Sequence, residues 1–234
     1  MKLAVISGAS KGLGKELAPL IAASGYKVIT LGLSSPSDVD FRADLTSLDQ
    51  TKKLIEKIRE NHGDISLLIA NAGGGKKPGE DSDNDDFHSY FMARNFLTAR
   101  NLIDSSLESL RETEGNIVAI SSIVAIKEVK SAPVGYKRSK EALNSYVIEV
   151  AKQNAQHNVR ANLVSPGNLF FIGSRWEELL MSRPDLVDST LSKEVPLGRF
   201  ITPQEVVAAI IYLSSDEACN ITGANIVIDG GQSL

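Results

Sequence analysis

Short, continuous apolar runs alternate with stretches of helical period along the whole chain, and this rhythm limits the possible folds more than any other feature. The runs fall at 3–6 (Leu3-Ala4-Val5-Ile6), 27–31, about 39–42, 67–70, 117–120, 160–165 and 225–228. Runs without polar alternation suit strands covered on both faces, as in a parallel sheet. Between them Leu13, Leu17, Leu20 and Ile21 recur at helical spacing, as do Leu54, Ile55 and Ile58, and later Leu143, Tyr146, Val147 and Val150. One helix start can be read residue by residue. Thr202-Pro203-Gln204-Glu205 supplies an N-cap, a proline at the first helical position and a capping-box glutamate ahead of Val206, Val207, Ile210 and Ile211. Strand and helix in strict alternation with short links predict an α/β fold, a doubly wound sheet of about seven parallel strands with helices on both faces. No internal repeat or second domain is visible, so 1–234 is expected to be one domain.

At 234 residues, 42% of them hydrophobic, the chain is long enough for one well-buried core. A net charge of -4 gives no electrostatic case for nucleic acid or an anionic membrane as partner. The single cysteine, Cys219, cannot form an internal disulfide, which fits a reducing compartment. No apolar run approaches the length of a bilayer span. Met1-Lys2 with only four apolar residues after it does not read as a leader. A cytoplasmic location is therefore expected. His62, His88 and His157 show no ligand spacing with each other or with Cys219, so no metal is expected.

Two local patterns carry chemistry. Ser7-Gly8-Ala9-Ser10-Lys11-Gly12-Leu13-Gly14 follows the first strand and opens the first helix. Glycines at 8, 12 and 14 let backbone N–H groups approach a pyrophosphate, and the helix N-terminus favours its charge. The second pattern is Tyr136 and Lys140, four residues apart, with Ser121-Ser122 upstream. On a helix these two side chains share a face, and an ammonium beside a phenol favours the phenolate. Tyr136 is thus a candidate acid/base. Two further stretches break the rhythm. Residues 74–86 are Gly-rich, then basic at Lys76 and Lys77, then acidic; they read as a solvated loop or as a place where a lysine meets an anionic substrate. Residues 168–195 hold Trp176, Leu179, Leu180, Met181 and Leu186 and read as a substrate lid.

Taken together these motifs resemble the short-chain dehydrogenase/reductase family in its shorter single-domain form, similar to 3-oxoacyl-carrier-protein reductase-like members. The family's Thr-Gly-x-x-x-Gly-x-Gly is matched with Ser7 for Thr, its Asn-Ala-Gly by Asn71-Ala72-Gly73, and its Ser then Tyr-x-x-x-Lys by Ser122, Tyr136 and Lys140. Pro166-Gly167, Gly198-Arg199, Pro203-x-Glu205-Val206, Ile221-Thr222-Gly223 and Val227-x-Asp229-Gly230-Gly231 continue the likeness in order. The resemblance implies a Rossmann-type sheet and hydride transfer between a nicotinamide cofactor and a carbonyl or secondary alcohol. It gives Tyr136 the proton on the substrate oxygen, Lys140 the tuning of that tyrosine and the ribose hydroxyls, and Ser122 the substrate oxygen. Gly8, Ser10, Lys11, Gly12, Leu13, Gly14, Asn71, Ala72, Gly73, Pro166 and Gly167 would border the cofactor. Asp44 and Leu45 would meet its adenine. Family members commonly form dimers or tetramers, so a homo-oligomer, a homotetramer for example, is implied.

The departures from the family pattern matter as much. Ser122 to Tyr136 is one residue longer than usual, which predicts a small insertion within 123–135 and leaves Ser121 as an alternative. The family's relay Asn falls on Arg94 when counted without gaps from Phe87, and on Asn95 if one residue is inserted; Asn95 is preferred. Phe171 replaces the Thr that usually lies near the nicotinamide carboxamide. Only ten residues separate Ser34 from Asp44, too few for the usual helix and third strand, so the helix after the second strand should be missing or much reduced. The end of that strand, where NAD users carry an acid, is Gly32. With Lys11 matching a basic residue of NADP-preferring relatives and hydroxyls at Ser34 and Ser35, NADP(H) is expected over NAD(H). The alternatives are an NADP-binding redox-sensing or regulatory protein that has lost catalysis, and a sugar-nucleotide-modifying enzyme, which would need a larger C-terminal domain.

Overall fold

The computed structural model of the chain describes residues 1–33, 38–75, 85–129 and 132–234. Seven strands, β1 (Leu3–Ser7), β2 (Lys27–Gly32), β3 (Phe41–Arg42), β4 (Ile65–Ala70), β5 (Asn116–Ile120), β6 (Arg160–Pro166) and β7 (Asn225–Ile228), form one sheet in the order β3-β2-β1-β4-β5-β6-β7. Every pairing is parallel. The helices are α1 (Gly12–Ala23), α2 (Leu48–His62), α3 (Asp85–Phe91), α4 (Thr98–Glu112), α5 (Val134–Asn154), α6 (Arg175–Ser182), α7 (Pro184–Glu194) and α8 (Pro203–Ser214).

Alternation along each strand splits the core in two. In β1, Leu3 and Val5 join the cluster that also holds Leu68, Ile117, Ala119 and Leu163, covered by Ile55 and Ile58 of α2, Leu102 of α4 and Leu143 and Val147 of α5. Ala4 and Ile6 point the other way, with Ile69, Val118, Ile120 and Val164, beneath Leu17 and Ile21 of α1 and Val206 and Ile210 of α8. Each fully buried Ile or Leu contributes about 1.5–3 kcal/mol relative to exposure, which is why uninterrupted apolar runs mark these strands. The capping box at α8 is formed, with Glu205 N donating to Thr202 Oγ1 at 3.4 Å and Thr202 N to Glu205 Oε2 at 2.8 Å.

The β2–β3 connection is the unusual part. Gly32 ends β2 and Phe41 begins β3, and the described residues between them, Leu33 and Asp38 to Asp40, form a turn with no helix. Val39 turns inward and is buried against the second cluster. Asp40 replaces a missing strand partner: its carboxylate accepts from Thr30 N at 2.8 Å and Thr30 Oγ1 at 2.7 Å.

A second irregularity sits between α3 and α4, where Met92–Leu97 is wound as a π-helix. The wider turn accommodates one extra residue without breaking the helical run, a device frequent at functional sites.

Candidate active site

In an open parallel sheet, ligands bind outside the carboxyl ends of the strands where the strand order reverses. Here that point lies between β1 and β4, and the sequence motifs converge on it. The turn after β1 places Gly8 at φ 67° and Gly12 at φ 60°, conformations that favour glycine. Gly14 is needed for a different reason. A Cβ there would run into the Gly8 carbonyl and stand 2.6 Å from Asn71 Nδ2. Asn71 locks this turn from β4, donating to Ser7 O at 3.1 Å and Gly8 O at 3.3 Å. The Ser7 hydroxyl accepts from Asn71 N at 3.0 Å and Ala72 N at 3.1 Å. The hydroxyl at position 7, rather than the threonine methyl, therefore joins the glycine turn to Asn71-Ala72-Gly73. A cradle that a Cβ would fill, at a helix N-terminus and at the switch point, fits the pyrophosphate of a dinucleotide.

Ser122, Tyr136 and Lys140 are brought together by β5 and α5. Tyr136 and Lys140 lie one turn apart on α5, and the Ser122 side chain comes close enough to Tyr136 to act on its pKa. Ser121 is turned away: its hydroxyl donates to Asn144 Oδ1 at 2.5 Å. Burial raises the Tyr136 pKa and Ser122 lowers it. Burial also pulls the Lys140 ammonium down to about 8. Lys140 Nζ donates to Ile120 O at 2.7 Å. An ammonium has three donors, so two remain for other partners. Lys140, expected from its spacing to tune Tyr136, is not among the causes of the tyrosine's shift, which are burial first and Ser122 second.

The π-helical turn sends Arg94 and Asn95 to different surroundings. Asn95 is fully buried; its Oδ1 accepts from Gly74 N at 2.8 Å and its Nδ2 donates to Phe91 O at 3.1 Å and Gly74 O at 3.3 Å. It thus fixes the turn after β4, where a Cβ on Gly75 would stand 3.4 Å from the Tyr136 ring. Arg94 instead lies over the Tyr90 ring, 5.5 Å from its centroid. Phe91 packs on Tyr136 with ring centroids 5.9 Å apart, a neighbour that sequence reasoning did not single out.

The remaining expected residues are placed unevenly. Pro166-Gly167 ends β6, clamped by Gly167 N to Ile228 O at 2.9 Å. Asp44 Oδ1 accepts from Thr46 Oγ1 at 2.7 Å and Thr46 N at 3.0 Å, and these bonds hold its carboxyl below the usual range, with a smaller contribution from Arg94. Leu45 is buried in the first cluster, and its carbonyl accepts from Asn101. Phe171 reaches the glycine turn, its Cζ 3.6 Å from where a Gly12 Cβ would be. Phe170 and Trp176 are spent on each other's neighbour: Phe170 stacks on Phe200 at 5.4 Å and Trp176 tilts against it at 5.3 Å. Ser34, Ser35, Lys76 and Lys77 lie outside the described residues. A hollow of about 270 Å³ beside β7, lined by Leu197, Arg199, Glu205 and Asp229, shares no residue with the Ser122–Tyr136–Lys140 group.

Known proteins are similar over nearly the whole chain. The family described as enoyl-(acyl carrier protein) reductase matches residues 8–233. The 3-oxoacyl-[acyl-carrier-protein] reductase FabG of Thermotoga maritima is 31% identical over 98% of this chain and 97% of its own length. The chain belongs to the short-chain dehydrogenase/reductase family. L-Fucose dehydrogenase of Bos taurus is 29% identical over 100% of the chain and 90% of its own length. The structure titled Pseudomonas aeruginosa RhlG/NADP active-site complex has the same fold, with a TM-score of 0.89 at 24% identity, covering 100% of this chain and 96% of that one. Like other short-chain dehydrogenases/reductases, this protein is an NAD(P)-dependent oxidoreductase acting on CH–OH and C=O groups. No helix among the described residues is long and apolar enough to cross a membrane, and the described residues contain no cluster of metal-ligating side chains.

Proposed function

We propose that the protein is an NADP(H)-preferring carbonyl reductase or secondary-alcohol dehydrogenase in which Tyr136 is the acid/base. The observation that carries this is the approach of Ser122 to Tyr136, with Lys140 one helical turn behind, beside the cradle held by Asn71. When bound, the nicotinamide cofactor supplies or accepts the hydride. The chain's own residues do the rest. Gly8, Ser10, Lys11, Gly12, Leu13 and Gly14 hold the pyrophosphate end, Asn71 to Gly73 and Pro166-Gly167 border the nicotinamide ribose and ring, and Asp44 offers its second carboxylate oxygen to the adenine amine. Ser122 donates to the substrate oxygen and steadies the charge that develops there. Tyr136 gives that oxygen its proton in reduction and takes it in oxidation. The free donors of Lys140 bind the ribose hydroxyls and keep positive charge near the phenol, while Asn95 positions the turn that packs on Tyr136.

Residues 168–195, carrying α6 and α7, form the lid; α4 and α5 offer the faces for a homo-oligomer; and the protein works in the cytoplasm on a small carbonyl or alcohol. The NADP reading rests on the absence of an acid at Gly32 and on exposed Lys11. NADPH oxidation over a panel of ketones identifies the substrate. With it in hand, Tyr136→Phe should lower kcat by about 10²–10⁴-fold and leave cofactor binding intact. Undiminished turnover by Tyr136→Phe rules the assignment out.

A further inference from the structure

The carboxyl end of β2 lacks a side chain of its own and is served by a neighbour. Gly32 faces the glycine turn: a Cβ there would stand 3.0 Å from Ser10 Oγ and 3.1 Å from Val39 Cγ1. A larger residue would crowd both side chains, and glycine leaves β2 with no ligand of its own at that position. Leu33, next in line, brings only an exposed aliphatic chain. Arg42 of β3 is in register with Gly32. Registered neighbours in a parallel pair project to the same face, which puts Arg42 on the Ser10 side of the sheet.

Arg42 is exposed, and its Nε donates to Leu33 O at 3.2 Å. That bond ties the guanidinium to the end of β2 and leaves both terminal NH₂ groups without a hydrogen bond or ion pair among the described residues. The nearby carboxylate of Asp40 is already engaged by Thr30. Lys11, at the start of α1, is a second exposed cation on the glycine turn.

We propose that Arg42 is the ligand of the cofactor's 2′-phosphate and the residue that separates NADP from NAD in this protein. The inference rests on the NADP reading and deepens it. A guanidinium held through Nε keeps a planar pair of donors that matches two phosphate oxygens. The ligand comes from β3 because Ser10 and Val39 close the space above β2.

The test uses adenosine 2′,5′-bisphosphate and AMP, which differ only in the 2′-phosphate, and reads binding by calorimetry without turnover. The wild type should bind the bisphosphate roughly tenfold or more tightly than AMP, and Arg42→Gln should abolish most of that ratio while changing AMP affinity less than about twofold. Equal binding of both probes by the wild type overturns the NADP reading itself. A wild-type ratio that survives in Arg42→Gln overturns the role of Arg42 and leaves the NADP reading standing. Equal weakening of both probes assigns Arg42 a structural role only, and also overturns the proposal. If Arg42→Gln does not fold, Arg42→Lys keeps the charge but loses the planar fork, and an unchanged ratio there counts against the proposal in the same way.

Discussion

Burying an ammonium gives Lys140 a titration that stability measurements can follow. Its pKa is about 8 in the folded chain against 10.5 for an ordinary lysine. Between those values the unfolded chain holds a proton that the folded chain has released, so this group's contribution to stability rises with pH across that window. Below about 8 both states are protonated and the slope vanishes, leaving the desolvation cost in place. The unfolding free energy of the wild type relative to Lys140→Met should therefore rise from pH 8 toward pH 10.5, at no more than about 1.4 kcal/mol per pH unit. Parallel pH profiles for the two proteins would show that Lys140 is not desolvated. At this scale the sequence singled out residues that the fold then brings close together, and it preferred Ser122 without a physical ground for setting Ser121 aside. Spacing separates Ser121 from Ser122 by a single residue; the structure separates them through Asn144, which accepts from the Ser121 hydroxyl from a helix 23 residues further on.

The π-helical turn at Met92–Leu97 works as an element with one residue to spare. The count from Phe87 exposed the surplus in the sequence, but whether a loop or the helix absorbed it depends on backbone hydrogen bonding that no side-chain pattern reports. Deleting Arg94 puts asparagine at the ungapped position, and the run from Asp85 to Glu112 can then close as a regular α-helix. This deletion should leave kcat/KM within about tenfold of wild type. Asn95→Ala, by contrast, removes three hydrogen bonds and leaves the Gly74 N–H without its acceptor. It should cost about 1–3 kcal/mol in urea unfolding and disturb Tyr136 through Gly75. If deletion of Arg94 proves the more damaging change, the turn has a function beyond register. Strands were easier to read than this helix because burial on both faces removes the polar residues that blur their ends. β3 is the exception: Val39 in its apolar run packs beneath the turn instead of extending the strand, and only Phe41–Arg42 pairs.

Across the whole molecule the sheet is unevenly covered. β1, β4, β5 and β6 lie between two helical layers, whereas the β3 edge ends in a two-residue strand and a turn braced by Asp40. The doubly wound order and both core faces follow from the alternating pattern in the sequence, and the shortened connection follows from its residue count. The path of that connection depends on Val39 finding space over Gly32, a fit between distant parts of the chain that spacing does not encode. Amide hydrogen exchange should make the asymmetry visible: residues 30–33 and 38–42 should be the least protected part of the sheet in the free protein, and NADPH should slow them more than it slows β5 or β6. Uniform slowing would show that the edge is already closed. If the nucleotide packs against this thin edge, it becomes the last layer of the wall, and raising NADPH should then raise the unfolding midpoint as well as the rate.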